Sequence, residues 1–418
     1  MAIRALPDDP RTAGASVSLR LLATATVIGS LGLGAGGVAG PLLAANIEGS
    51  EAVAGLPLGV LIGGAAVGAL AISRRTSLLG RGSGLSLGYA VGSVGAVIVI
   101  GGAIVNSLVV VLAGTLLLGS ASAAVFLSRY AAAELAGPGA RGRGVGTILW
   151  AATVGAVASP NLLAPTGWLA ALLGLPKLTG LFVIAAPAFL VAAAITGVGL
   201  RRSAPDLGRS NLLRGRDLRI REAVMQSLRS KPSRLALTIL ATTNLVMVGI
   251  MAVAPVQLIE HGHHLGAVGF IVSIHVAGMF APSVLTGWLA DRIGAAPVAL
   301  GGTLLLVVSG ASGAFVDLEG SVAVTAFLLL VGLAWNGGVV GGSAMLAASV
   351  HGSARAQAEG IGEVAMSTAA AVAAPGAGPV VAAGGFGALT VLGAAAAAAV
   401  LVVGIEARSG VSTPDVSL

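Results

Sequence analysis

Twelve apolar stretches, each about as long as a membrane-spanning helix, constrain the fold of this chain more than any other feature. A helix needs roughly 17–25 mostly apolar residues to cross ~30 Å of hydrocarbon. Only 9% of the residues are charged, whereas soluble globular domains carry about 25%. The sequence therefore predicts an all-α membrane protein, with spans near residues 18–44, 52–73, 85–102, 105–127, 146–165, 175–199, 235–259, 266–288, 296–316, 321–346, 358–383 and 385–405.

Basic residues fall almost entirely before the first span and after the even-numbered spans. Lys177 is the single basic residue in an odd-numbered loop, and those loops instead carry acidic residues. The positive-inside rule then places both termini in the cytoplasm. We expect a multi-pass protein of the plasma membrane, surrounded by the lipid bilayer, whose net charge of +7 reflects topology rather than nucleic-acid binding.

A basic segment divides the spans into two sets of six. Residues 201–234 hold ten basic and three acidic residues, which is typical of a cytoplasmic linker. The predicted domains are therefore 1–200, a six-helix bundle; 201–234, the linker; and 235–418, a second six-helix bundle. The linker sequence around Leu218, Ile220, Val224 and Leu228 leaves open a short amphipathic helix lying on anionic lipid.

The loop after the eighth span carries a recognisable signature. It reads Gly287-Trp-Leu-Ala-Asp291-Arg292-Ile-Gly294, which resembles the cytoplasmic motif of the major facilitator superfamily. The resemblance implies two six-helix bundles that rock about a central substrate site. It also implies a cytoplasmic gate formed by Gly287, Asp291, Arg292 and Gly294, with the acid and the base between two helices of one half.

The first half has only a degenerate copy of that signature. Gly68 is followed by Ile72 and Ser73 at the place where an acid is expected, although Arg74 and Arg75 are present. Gating by a charge pair is therefore less well supported in the first half than in the second.

Two pairs of soft donors lie on consecutive spans of the second half. Met247 and Met251 are four residues apart on span seven, and His275 and Met279 are four apart on span eight. Residues at i and i+4 share a helix face. Counted from the turn near His263, Met251 matches His275 in depth and Met247 matches Met279, which gives two levels roughly 6 Å apart. Thioether and imidazole groups together suit Cu(I).

Other interpretations of these residues stay open. Methionine in an apolar helix is usually packing material, whereas an imidazole within a span is functional by default. His261, His263 and His264 form either a solvated loop or an entry site for a metal ion.

The two donor pairs also resemble the MxxxM and HxxxM motifs of the CcoA-like copper importers, a branch of the major facilitator superfamily. That resemblance implies that Met247, Met251, His275 and Met279 bind copper during import. Copper is then cargo, and we expect no resident cofactor and a functional monomer. Riboflavin transporters are close relatives of the branch, so riboflavin uptake is an alternative.

Proton-coupled efflux of a small organic molecule is a further alternative. Residues 155–160 weakly resemble the antiporter motif of drug exporters. The acidic residues Glu134, Asp291, Glu359 and Glu363 are expected at or near the cytoplasmic edge, which leaves His275 as the titrating group of any proton-coupled cycle. An enzyme is not expected, because the spans lack convergent acids, bases or nucleophiles and the chain has no cysteine.

Overall fold

A computed structural model describes residues 10–32, 35–49, 53, 56–203, 207, 220–350 and 354–409, and their regular structure is helical throughout. The α-helices, numbered in chain order, are α1 Pro10–Leu31, α2 Gly40–Glu48, α3 Leu56–Leu79, α4 Arg81–Ile104, α5 Leu108–Ala136, α6 Arg141–Asn161, α7 Leu163–Leu172, α8 Gly180–Ala194, α9 Arg201–Ser203, α10 Ile220–Arg229, α11 Lys231–Glu260, α12 Leu265–Phe280, α13 Ser283–Ile293, α14 Ala295–Ser312, α15 Ser321–Ser349 and α16 Arg355–Ser409.

The described helices account for the twelve predicted crossings. Ten stretches are long and apolar enough to span a membrane. The last of them, Arg355–Glu406, is 52 residues long and is divided at Gly385, whose φ of 76° is not helical. The twelfth predicted crossing corresponds to α6, which is not among the ten and stays a prediction as a membrane span. The all-α membrane fold expected from the sequence is confirmed.

Glycine lets the helices of each half approach closely. A Cβ on Gly95 of α4 would lie 2.5 Å from the backbone nitrogen of Leu118, and one on Gly114 of α5 would lie 2.7 Å from the carbonyl oxygen of Gly95. Such contacts replace the hydrophobic effect, which gives no net attraction between helices already in lipid. The high glycine content is therefore used at helix interfaces.

The linker predicted between the halves is partly helical. The amphipathic helix left open by the sequence exists as α10, and it contacts α11 and α16. Met225 and Leu228 of α10 are exposed. Leu218 lies outside the described residues. The binding of α10 to lipid and the three domain boundaries stay predictions.

The two halves meet tightly where α6 crosses α13. A Cβ on Gly287 would collide with the carbonyl oxygen of Gly142, and a Cβ on Gly146 would collide with that of Ser283. The backbones of the two halves therefore touch at small residues, Gly142 and Gly146 of α6 and Ser283 and Gly287 of α13. This crossing closes the end of the bundle that carries the predicted cytoplasmic loops, called here the basic end.

We predict that Gly287→Ala destabilises the protein by on the order of 1–3 kcal/mol, because the added methyl group has no space beside Gly142. The melting temperature of purified protein checks this. Gly301→Ala is the matched control, since a Cβ there meets nothing within 4 Å and alanine favours helix by up to ~1 kcal/mol. Equal melting temperatures of Gly287→Ala and Gly301→Ala would contradict the close approach of α6 and α13.

Candidate functional site

A cavity of about 310 Å³ lies between the two halves. Most of its wall is apolar, with an amide, a carboxylate and two hydroxyl groups as the polar exceptions. Helices α3 and α5 supply its first-half wall, and α11, α12, α15 and α16 supply the other. The lining residues are Leu61, Ile62, Ala65, Ser122, Ala123, Phe126, Asn244, Met247, Val248, Met279, Trp335, Glu363, Met366, Ser367 and Ala370.

Asn244 holds the second-half wall of the cavity together. Its Oδ1 atom accepts a hydrogen bond from Nε1 of Trp335 at 3.2 Å, and its Nδ2 atom donates to the carbonyl oxygen of Met366 at 2.8 Å. Trp335 also packs edge-on against Phe280, with ring centroids 5.4 Å apart. One side chain of α11 therefore fixes both an aromatic ring of α15 and the backbone of α16.

A buried ion pair joins the halves beside the cavity. Arg129 of α5 pairs with Glu363 of α16, and its Nε atom donates to Oγ of Ser343 at 2.8 Å. Its Nη2 atom donates to the Tyr130 hydroxyl group and contacts the Met366 sulfur at 3.6 Å, and its Nη1 atom donates to the carbonyl oxygen of Phe126. The Arg129 side chain is fully buried. Removing one partner of such a pair typically costs about 3–5 kcal/mol, so this contact holds the halves in their observed arrangement.

A second group of charges lies nearer the basic end. Arg81, at the start of α4, pairs with Glu359 of α16 and also with Glu134 of α5 at 3.1 Å. Arg355 reaches Glu359 at 3.2 Å. Glu359 and Glu363 are both buried, and Glu363 lines the cavity. The expected position of these acids at or near the cytoplasmic edge stays a prediction.

Asp291 closes the basic end by binding the other half. Its carboxylate accepts hydrogen bonds from the backbone nitrogens of Gly142 at 2.7 Å and Arg143 at 3.0 Å, and from Nε of Arg143 at 3.0 Å. A carboxylate at the first turn of α6 satisfies unpaired N–H groups and complements the helix dipole. The expected contact within one half is therefore replaced by one between halves.

The other gate residues predicted from the signature have local roles. The Arg292 guanidinium lies over the ring of Trp288, 5.2 Å from its centroid. Gly294 ends α13 with a φ of 100°, a backbone conformation that side chains other than glycine rarely adopt.

The first half repeats this gate with weaker chemistry. Gly80 separates α3 from α4 with a φ of 88°, as Gly294 separates α13 from α14. Counting back three residues from each glycine makes Ser77 the counterpart of Asp291. Ser77 accepts a hydrogen bond at 2.9 Å from Nε2 of Gln357, near the start of α16. The degenerate copy thus lies at Ser77, not at Ile72, and uses a hydroxyl group where the second half uses a carboxylate.

The donor pairs are predicted to form two levels, and only the level of Met247 and Met279 lies at the cavity. Met247 and Met279 line it, whereas Met251 is half-buried outside its wall. His275 is buried between α12 and α15, where its Nδ1 atom bonds to the carbonyl oxygen of Leu328 at 2.8 Å. The third thioether of the wall is Met366, from α16.

Helix α12 is interrupted just beyond Met279. Pro282 has no N–H group to continue the helix, and α13 begins only at Ser283. The amide of Asn336, on α15, donates to the carbonyl oxygen of Met279 at 2.7 Å and contacts Oγ of Ser283 at 2.6 Å. One amide therefore spans the interruption.

Two of the three histidines in the turn after α11 bond locally, and the third contacts the loop after α14. His261 contacts the carbonyl oxygen of Gln257, and His264 accepts from the backbone nitrogen of Ala267. His263 contacts the carbonyl oxygen of Leu318 at 2.7 Å. Across the described residues, no three His, Asp or Glu side chains gather as a metal site. A metal entry role for these three histidines stays a prediction.

Sequence comparison places the chain in a family. No family profile matches the chain. It is 32% identical over 395 residues to YdeG, an uncharacterised MFS-type transporter of Bacillus subtilis, which covers 94% of this chain and 92% of YdeG. The chain belongs to the major facilitator superfamily of transporters. It is a membrane transporter and not an enzyme.

Further relatives and solved structures agree with that fold. A second Bacillus subtilis MFS-type transporter, YddS, is also 32% identical over 87% of this chain and 85% of its own length. The riboflavin transporter RfnT of Brucella anthropi is 27% identical over 87% of this chain and 88% of RfnT. A bacterial homologue of the iron transporter ferroportin superposes with a TM-score of 0.75 at 15% identity, over 94% of this chain and 99% of that one.

We predict that Asn244→Leu lowers the free energy of unfolding by about 1–3 kcal/mol, because it leaves the Trp335 N–H group and the Met366 carbonyl oxygen without their partner. Thermal unfolding of purified protein measures the loss. An unchanged melting temperature of Asn244→Leu would show that the hydrogen bonds of Asn244 contribute nothing to stability.

Proposed function

We propose that this transporter is a secondary active carrier of a compact organic solute with a flat apolar face, of the class that includes riboflavin. The observation that supports this proposal is the cavity between the halves, whose largely apolar wall includes Trp335. Its volume of about 310 Å³ falls at the lower end of the ~300–1,000 Å³ typical of sites for small organic molecules. Asn244, Ser122 and Ser367 supply the few polar groups that orient such a ligand.

The name of one relative supports this substrate class. RfnT is a riboflavin transporter and aligns with this chain over most of both lengths. A planar heteroaromatic ring stacks well on indole. Trp335 is held edge-on to Phe280 and bonded to Asn244. Its side chain is only 2% exposed, so stacking of a ligand on the indole requires the cavity to widen beside this ring.

Import of Cu(I) is the second candidate, and one observation favours it. Met247, Met279 and Met366, from three helices, line the same cavity, and thioethers suit Cu(I). Met247 and Met279 belong to the donor set predicted from the sequence. Met366 replaces the other two predicted donors, Met251 and His275. A cavity of this size exceeds what a single ion needs, which places copper second.

Uptake measurements with matched substitutions separate the two cargoes. Cells expressing the chain are assayed for accumulation of labelled riboflavin and of labelled copper, using unsubstituted protein, Trp335→Ala, and the triple variant Met247→Leu, Met279→Leu and Met366→Leu. Leucine keeps the apolar volume and removes the sulfur. For an organic solute we expect Trp335→Ala to lower uptake roughly 5- to 150-fold, since stacking contributes about 1–3 kcal/mol. We expect the triple variant to retain most of the uptake.

The opposite pattern would establish copper and refute the organic cargo. Copper accumulation above the empty vector, lost in the triple variant and retained in Met251→Leu, would identify the thioethers as the ligands. Met251→Leu is the matched control, because Met251 lies one turn from Met247 but outside the cavity wall.

We also propose that a proton on Glu363 couples transport to the opening of the basic end. Glu363 supplies the only carboxylate among the cavity-lining residues, and it pairs across the halves with Arg129. Protonation removes its charge and weakens that pair. Tyr130 and Arg129 of α5 both face the Glu363 carboxylate. Glu359 lies one turn away on α16, where Arg81 neutralises its charge.

We predict that Glu363→Gln abolishes accumulation driven by a pH gradient but retains exchange of labelled for unlabelled solute, because glutamine keeps the shape and cannot titrate. Reconstituted vesicles assayed in both modes distinguish this effect from misfolding, which removes both activities. Glu319→Gln, in an exposed loop, is the control and should behave like the unsubstituted protein. An unaltered pH response in Glu363→Gln would overturn the coupling role.

A further inference from the structure

A second cavity opens on the outside of the bundle, far from the substrate cavity. It measures about 540 Å³ and lies between the start of α11 and the end of α16. Helix α11 contributes Lys231, Arg234 and Leu235 to its lining, and α16 contributes Val400, Val403 and Glu406. Lys231 and Arg234 are the last two basic residues of the predicted linker, 201–234.

The charges of this groove cluster at one end. Lys231 and Arg234 are three residues apart and therefore share a helix face, and both are exposed. Glu406 lies at the same end on the other helix. Two positive charges and one negative charge give an excess of one positive charge, which complements a group carrying a single negative charge.

The rest of the groove is apolar and continues onto the outer surface of α16. Leu235, Val400 and Val403 line it below the charged end. Val402, Val403 and Ile405 are 54%, 61% and 55% exposed, on a helix that spans the membrane. This surface faces hydrocarbon chains in a bilayer, because exposed apolar residues of a spanning helix meet lipid.

We propose that this groove binds an anionic glycerophospholipid, with its phosphodiester group at Lys231 and Arg234 and its acyl chains along Val400 and Val403. A phosphodiester carries one negative charge, and basic pockets between spanning helices suit such headgroups. The apolar wall beneath the charges distinguishes a lipid from a free phosphate ester.

Native mass spectrometry of the purified, detergent-solubilised transporter tests this proposal without a transport assay. The protein is titrated with phosphatidylglycerol, with phosphatidylcholine, and with glycerophosphoglycerol, which is the deacylated headgroup. We expect retained adducts of phosphatidylglycerol and much weaker binding of the other two. The double variant Lys231→Gln and Arg234→Gln should weaken phosphatidylglycerol binding roughly 30-fold, from the usual contribution of each basic residue near a lipid surface.

A second double variant controls for charge alone. Arg201→Gln and Arg202→Gln removes the same charge from two exposed residues of α9, which do not line the groove. Phosphatidylglycerol binding should persist in it. Equal loss in both double variants, or no loss in either, would overturn the site, and equal binding of the deacylated headgroup would replace the lipid by a free phosphate ester. None of these readouts depends on the cargo of the central cavity.

Discussion

The buried pair of Arg129 and Glu363 is the interaction on which the observed arrangement of the two halves depends. A charge taken out of water is tolerated only with a partner and further hydrogen bonds, and Arg129 has both, from Glu363, Ser343 and Tyr130. Its partners come from both halves, so any motion that parts the halves at this level must first satisfy two charges in some other way. The substrate cavity lies directly beside this pair.

Around that pair, the two halves close by unequal means. Asp291 binds the first turn of α6 through three hydrogen bonds, whereas the corresponding contact of Ser77 with Gln357 is between neutral groups. Charge-assisted hydrogen bonds are about twice as strong as neutral ones. Arg81 and Glu359 reinforce the weaker side. The two repeats therefore make corresponding contacts in similar positions, but the contact in the second half is the stronger one.

Much of the fold and part of the site followed from the sequence. Apolar length and charge placement predicted the crossings, because lipid leaves a helix few alternatives. Met247 and Met279 were singled out and do line the cavity. His275 and Met251 were singled out on the same spacing and do not, because spacing along a helix does not fix how the helix is rotated toward its neighbours.

The residues that sequence analysis missed come from helices distant in the chain. Asn244, Trp335 and Met366 meet only through packing, which one sequence does not reveal. Arg129 and Glu363 did carry a usable signal, since ionisable residues inside apolar helices mark functional sites. Glu363 lies about two turns into α16 and pairs with Arg129 of α5, so its place in the cavity wall depends on packing between the halves.

The interruption at Pro282 has a mechanical consequence. Met279, in the wall of the cavity, and Asp291, at the closed end, belong to two short rigid rods with a joint between them, spanned by the amide of Asn336. Bending at that joint exchanges the hydrogen bonds of the Asn336 amide and leaves the backbone of neither rod disrupted. Tilting α12 against α15 also costs the bond from His275 to the carbonyl oxygen of Leu328, so the segment beside the cavity is held to α15 at two points while α13 is held to α6 by Asp291.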